Sequence, residues 1–202
     1  MLGITDFWAF VVAVAVFLAL PGPGTFALLT STGKGGFRAG AAATFGLIVG
    51  DQALLWLAAL GVAAVLQGHP VLFKSLQYAG AAYLVFVGVR LIFSRGGSAQ
   101  PVPIRAGHYF RQALLITLLN PKAIVFYMAF FPLFIDPATQ QGVATFAAMA
   151  VTIAALTLIY CLTLVAFAHA LTAQIKAHRQ VARALERLAG IVLVAFGIRL
   201  VQ

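Results

Sequence analysis

Asp51 is the residue of this chain with the clearest capacity for chemistry. No other fixed charge lies between Arg38 and Lys74. It falls inside an apolar run, where a carboxylate costs about 2.5 to 3.5 kcal/mol on membrane-insertion scales. Such a group must face a partner, water or the interior of a helix bundle. There it has three uses: to hold an ammonium group, to take up and release a proton, or to pair with Lys122 as structure. Lys122 follows Asn120 and Pro121 in a second apolar run. It could hold a carboxylate or Asp51, or extend its stem to place its ammonium at the membrane interface. Asn120 could contact a ligand or hydrogen-bond the carbonyls that Pro121 leaves unpaired. The third feature is Pro21-Gly22-Pro23-Gly24. Two prolines remove backbone donors and two glycines relax φ, so no α-helix passes through undisturbed. The amides that follow Pro23 form a helix start, which favours an anion such as a carboxylate. An anionic end at that start and a cationic end at Asp51 together describe an amino acid.

These residues need a scaffold that brings them to one depth. The chain has 202 residues, 63% hydrophobic and 8% charged. Soluble domains carry about 25% charged residues, so the composition is that of an integral membrane protein. The net charge of +9 does not point to nucleic acid, because the basic residues lie almost entirely between apolar runs, where topology determinants belong. The N-terminus has no basic leader region, so the first apolar run reads as a retained helix. Cys161 is the single cysteine and lies in an apolar run, which excludes an intramolecular disulfide. His69, His108, His169 and His178 are scattered near segment ends without metal-ligand spacing. No metal site, catalytic residue or cofactor is expected.

Six apolar segments predict six transmembrane helices, over about 6–31, 39–66, 73–93, 109–135, 143–168 and 188–201. The first is broken at Pro21 and the fourth at Asn120-Pro121. Ala39, Ala43, Gly46 and Gly50 repeat at three-and-four spacing along the second, the mark of a close helix seam within or between subunits. Val85 to Leu91 echoes Val194 to Leu200, and each broken segment opens a set of three. The expected fold is therefore all-α, a single transmembrane domain over 1–202 made of two three-helix repeats, about 6–93 and 109–202, with a linker at about 94–108. An odd number of crossings per repeat inverts the second relative to the first.

Lys and Arg counts give the orientation. Ten lie in or beside the connectors after the first, third and fifth segments, against two (Lys74 and Arg199) on the opposite side. Those connectors are then cytoplasmic and both termini periplasmic; a five-crossing chain would reverse the N-terminus. On this frame Pro21 to Gly24, Asp51 and Asn120 to Lys122 each lie about ten to thirteen residues from the cytoplasmic face. At 1.5 Å per residue, that is close to the bilayer midplane. Secondary transporters place their substrate site there, beside discontinuous helices. Tyr127, Thr152, Thr157, Tyr160 and Thr163 are further polar residues of the spans that could line a path; such residues more often pack or bond to backbone. Arg90 and Arg199 end their segments as anchors.

Leu20-Pro21-Gly22-Pro23-Gly24, the glycine-rich stretch from Gly36 to Asp51, and Asn120-Pro121-Lys122 followed by Phe130-Phe131-Pro132-Leu133-Phe134 resemble the LysE/RhtB family of amino-acid exporters. The resemblance covers essentially the whole chain. It implies a bacterial inner-membrane exporter of amino acids or their derivatives, driven by the proton gradient, closer to the homoserine, threonine and neutral amino-acid branch than to the lysine branch. Its partners would be the amino acid, protons and the lipid bilayer, with homo-oligomers compatible with the glycine seam. Two other classes stay in view. A small-solute channel would show flux without proton coupling. A membrane-embedded enzyme lacks support: Asp51 is the only aspartate within a span, and neither His-Glu-x-x-His nor Gly-x-Ser-x-Gly occurs.

Overall fold

In the computed structural model, residues 3–68, 103–136, 138–139 and 142–171 are described, with eight isolated positions between and beyond them. All regular elements among these are helical. Most of the expected third and sixth segments, most of the linker, most of the Val85–Leu91 motif and all of Val194–Leu200 lie outside the described residues.

The first helix, α1 (Phe7–Ala19), starts at Asp6, whose carboxylate accepts from the Ala9 amide at 2.9 Å. This is the bond expected of an aspartate at an N-cap. The helix stops because Leu20 precedes a proline. That position is sterically driven out of the helical region, and Leu20 is extended, with φ −71° and ψ 113°. The next helix, α2 (Pro23–Gly68), begins on the second proline, whose missing N–H is harmless at a first helical position.

α2 is one continuous element only in name. Gly35 and Gly36 leave helical geometry, Gly36 with φ +66° and ψ −161°, a conformation open essentially to glycine alone. The connector left between the first two expected segments, 32–38, thus narrows to two non-helical residues. The arms 23–34 and 37–68 fold back side by side. A methyl built on Gly40 would overlap the Thr32 hydroxyl, and one on Gly24 would lie 3.2 Å from Leu47. The second arm then packs on α3 (Tyr109–Leu118). A methyl on Gly46 would overlap the Phe110 carbonyl, and one on Gly50 would sit 2.7 Å from Thr117 Cβ. The small-residue seam expected in this stretch therefore packs within the chain, backbone against backbone.

The second break follows at Leu119-Asn120. α4 (Pro121–Phe130) again has proline at its first position, and the Asn120 side chain accepts from the Lys122 amide at 3.1 Å. A 3₁₀ turn, Phe131–Phe134, continues it. Its end is tied to the N-terminus by an isolated bridge between Ile4 and Ile135. The last described helix, α5 (Val143–Leu171), has 29 residues, about 44 Å of rise. Residues 23–61 and 143–170 are long and apolar enough to cross a membrane. Large apolar side chains such as Trp8, Leu57, Leu60, Val151, Ile159 and Phe167 are exposed, which is costly in water and natural against lipid.

Two apolar clusters fill the interior. The larger joins Phe10, Leu55, Phe126, Phe130, Phe134 and Met149 with their neighbours. Within it, aromatic rings of α1 and α4 stack, Phe17 on Phe126 at 3.6 Å between centroids and Phe126 on Phe130 at 4.3 Å. The smaller joins Leu28, Ala43, Leu47, Ala113, Cys161 and Val165. The two clusters bury α2, α3, α4 and α5 against one another, and the polar residues singled out above sit where these helices meet.

Candidate functional site

A cavity of about 70 Å³ opens where the two helix breaks face the second arm of α2 and the middle of α5. It is wide enough for several water molecules. Gly22, Gly24 and Thr25 reach it from the first break, Asn120 and Lys122 from the second. Asp51 and Leu47 come from the second arm of α2, and Thr157, Tyr160 and Cys161 from α5. Of the residues singled out in the sequence, Asp51, Lys122, Asn120, Gly22 and Gly24 line this one space. Pro21, Pro23 and Pro121 do not; they shape the backbone around it.

Lys122 shows most directly what holds the breaks together. Its Nζ donates to the Leu20 carbonyl at 2.8 Å and to the Phe17 carbonyl at 3.4 Å, and lies 4.6 Å from the centre of the Phe17 ring. These carbonyls belong to the last turn of α1, where the helix has run out of its own amides. An ammonium at that end satisfies them and matches the negative end of the helix dipole. Lys122 therefore commits its ammonium to backbone carbonyls at the end of α1 and forms no direct pair with Asp51, although each group lies within electrostatic range of the other. With two of its three N–H groups engaged, one remains.

Asp51 is 8% exposed, with a side-chain hydrogen bond to Tyr127 of α4. That bond occupies only part of what a carboxylate accepts, since two oxygens offer about four lone-pair positions. Tyr127 itself is buried and belongs to the larger cluster. Asn120 performs the repair role: its side chain caps α4, and its carbonyl accepts from Ile124 at 3.0 Å. At the first break, Phe26 donates to the Gly22 carbonyl at 3.0 Å. The amides of Gly24 and Thr25 lie in the first turn, where a helix has no internal acceptors to offer.

The remaining polar candidates separate cleanly. Thr152 turns back to the Ala148 carbonyl at 2.8 Å, and Thr163 is exposed away from the cavity. Thr157 is 1% exposed, lines the cavity, and its hydroxyl has no partner in the protein. The sequence names it among five residues that could line a path, without separating it from those that pack. The available signal was the spacing of Thr157, Tyr160 and Cys161, which places all three on one face of a helix. Among the described residues no group of His, Cys, Asp and Glu is placed to hold a metal ion.

Chemically the cavity offers, among the described residues, one carboxylate, one ammonium, a helix start and the hydroxyls of Thr25, Thr117, Thr157 and Tyr160, walled by Phe17, Leu18, Leu28 and Leu47; the Thr117 hydroxyl is engaged by the Ala113 carbonyl. Its two fixed charges are of opposite sign, so a zwitterion enters without leaving a net charge buried.

Comparison with known proteins finds full-length relatives. An uncharacterized membrane protein, PA4757, of Pseudomonas aeruginosa is 35% identical over 209 residues, covering 98% of this chain and 96% of that protein. The leucine efflux protein of Salmonella typhimurium is 33% identical over 203 residues, covering 98% and 95%. That of an Enterobacter species is 34% identical over 207 residues, covering 98% and 96%. No solved structure matches. Residues 15–202 match the family described as LysE type translocator, and on that match and these full-length relatives the chain belongs to the LysE family.

Proposed function

We propose that the chain is a secondary exporter of neutral amino acids across the bacterial inner membrane, coupled to protons. The observation that carries this reading is the buried Asp51 carboxylate in a cavity walled by two broken helices. The substrate ammonium would take the lone pairs of Asp51 that Tyr127 leaves free. Its carboxylate would lie at the Gly24 and Thr25 amides, within reach of the remaining N–H of Lys122. The apolar wall suits an uncharged side chain, in keeping with relatives named leucine efflux proteins. A lysine side chain would bring a second ammonium, and among the described residues Asp51 is the only carboxylate lining the cavity.

Proton coupling follows from one group serving two ions. If Asp51 binds either the ammonium or a proton, outward movement of substrate and inward movement of protons alternate on one carboxylate. The architecture read here is one domain of two inverted three-helix repeats, about 6–93 and 109–202, with both termini periplasmic. Each broken helix would then occupy the equivalent place in its repeat.

The test is efflux of labelled leucine from preloaded proteoliposomes, with and without an imposed pH gradient, for wild type and Asp51→Asn. Gradient-dependent efflux lost in Asp51→Asn is expected. Equal efflux without the gradient would make the protein a channel, and equal efflux in Asp51→Asn would reduce Asp51 to a structural residue.

A further inference from the structure

We propose that the Thr157 hydroxyl is a substrate ligand, donating to the carboxylate of the bound amino acid. The inference rests on the export reading and adds a contact from α5 to those of α2 and α4.

A threonine inside a helix normally satisfies its hydroxyl by turning it to the carbonyl four residues back. Among the described residues Thr32 does so to Leu28 at 2.8 Å, Thr44 to Gly40 at 3.0 Å, Thr117 to Ala113 at 3.1 Å and Thr152 to Ala148 at 2.8 Å. Thr157 has Ile153 at the same spacing on the same helix as Thr152. It makes no such bond and has no other partner in the protein, although it is 1% exposed. Buried hydroxyls are rarely left this way, because the unpaired group bears its full desolvation penalty. Ser31 is the other buried hydroxyl without a partner among the described residues, and it does not line the cavity.

The direction of the bond follows from what else lines the space. The cationic end of an amino acid is matched by Asp51, a pure acceptor when ionised. The anionic end needs several donors, since a carboxylate accepts up to about four hydrogen bonds. The first-turn amides of Gly24 and Thr25 supply some, and Thr157, lining the same cavity from α5, supplies a neutral donor. A helix start alone would bind an anion weakly; a buried, unpartnered hydroxyl on a second element of the same cavity adds to it.

The experiment is equilibrium binding of labelled L-leucine, within a panel of other neutral amino acids, to purified wild type, Thr157→Val, Thr157→Ser and Asp51→Asn. Competition by 3-methylbutylamine, which is leucine without its carboxylate, is measured alongside. Thr157→Val should weaken leucine about tenfold, the loss of one hydrogen bond to a charged group. It should leave 3-methylbutylamine unchanged, and Thr157→Ser should restore leucine binding. Melting of the substrate-free protein should not fall below wild type in Thr157→Val, since the hydroxyl has no protein partner to lose. Unchanged leucine affinity in Thr157→Val, or equal weakening of the amine, would overturn the assignment. Asp51→Asn abolishing binding in that case would leave the export reading standing. Absence of binding by wild type to every member of the panel would overturn both.

Discussion

Replacing Lys122 by methionine tests how the broken first helix is held. Methionine keeps the apolar stem and comparable rotamer freedom, so the change removes mainly the ammonium. Of the two carbonyls Lys122 caps, that of Phe17 also accepts the Leu20 amide at 3.3 Å and stays bonded. The Leu20 carbonyl loses its 2.8 Å bond on a residue only 3% exposed. An orphaned buried acceptor costs about 1 to 3 kcal/mol, and the ammonium's contact with the Phe17 ring adds about 0.5 to 1 kcal/mol. Against this, the variant no longer desolvates a charge. We expect a net loss of about 2 kcal/mol. For a chain of this size that is a fall in melting temperature of about 4 to 8 °C, read by thermal unfolding of purified protein in one detergent. Methionine melting at or above the wild-type temperature would refute the capping argument. It would mean that the ammonium contributes no net stability at the break.

Two further outcomes follow from the packing. Gly46→Ala places a methyl against the Phe110 carbonyl, where backbone must separate from backbone, and should lower stability by about 1 to 3 kcal/mol. Gly61→Ala, on the same arm of α2 with none of the described residues within 4 Å of the added methyl, should raise it by about 0.5 to 1 kcal/mol; the opposite signs are read in one melting series. At the end of the 3₁₀ turn, Asp136 accepts from the Ala138 amide and the Thr139 hydroxyl, each at 2.9 Å. These bonds favour its ionised form and hold its carboxyl below the usual aspartate value of 3.8. Their stabilising effect is complete above that ordinary value and is lost as pH falls through the lowered one. Carboxyl-carbon NMR should show a midpoint below that of a model aspartate, moving upward in Thr139→Ala.

The backbone of the site was legible in the sequence, and its side-chain partnerships were not. Proline and glycine act through local stereochemistry, so Pro21 to Gly24 and Asn120-Pro121 announce breaks wherever the chain goes. The Gly35-Gly36 fold-back and the Gly46–Gly50 seam are of the same kind. Composition and charge spacing likewise brought Asp51 to the depth of both breaks. The target of Lys122 is a pair of carbonyls more than a hundred residues earlier in the chain, and only tertiary packing decides that. The bond from Tyr127 to Asp51 joins different helices for the same reason. Thr157 depends on a single rotamer choice against a carbonyl that was equally available, which no residue pattern encodes.

The central claim is that the cavity beside Asp51 is the amino-acid site, and Cys161 offers a direct probe of it. This is the chain's only cysteine, and its thiol is free and lines the same cavity. The measurement is the rate of alkylation of Cys161 by a small membrane-permeant maleimide at increasing concentrations of leucine. The account predicts that leucine slows the reaction in a saturable way and that Asp51→Asn abolishes the protection. A rate unaffected by any neutral amino acid, or protection undiminished in Asp51→Asn, would contradict it.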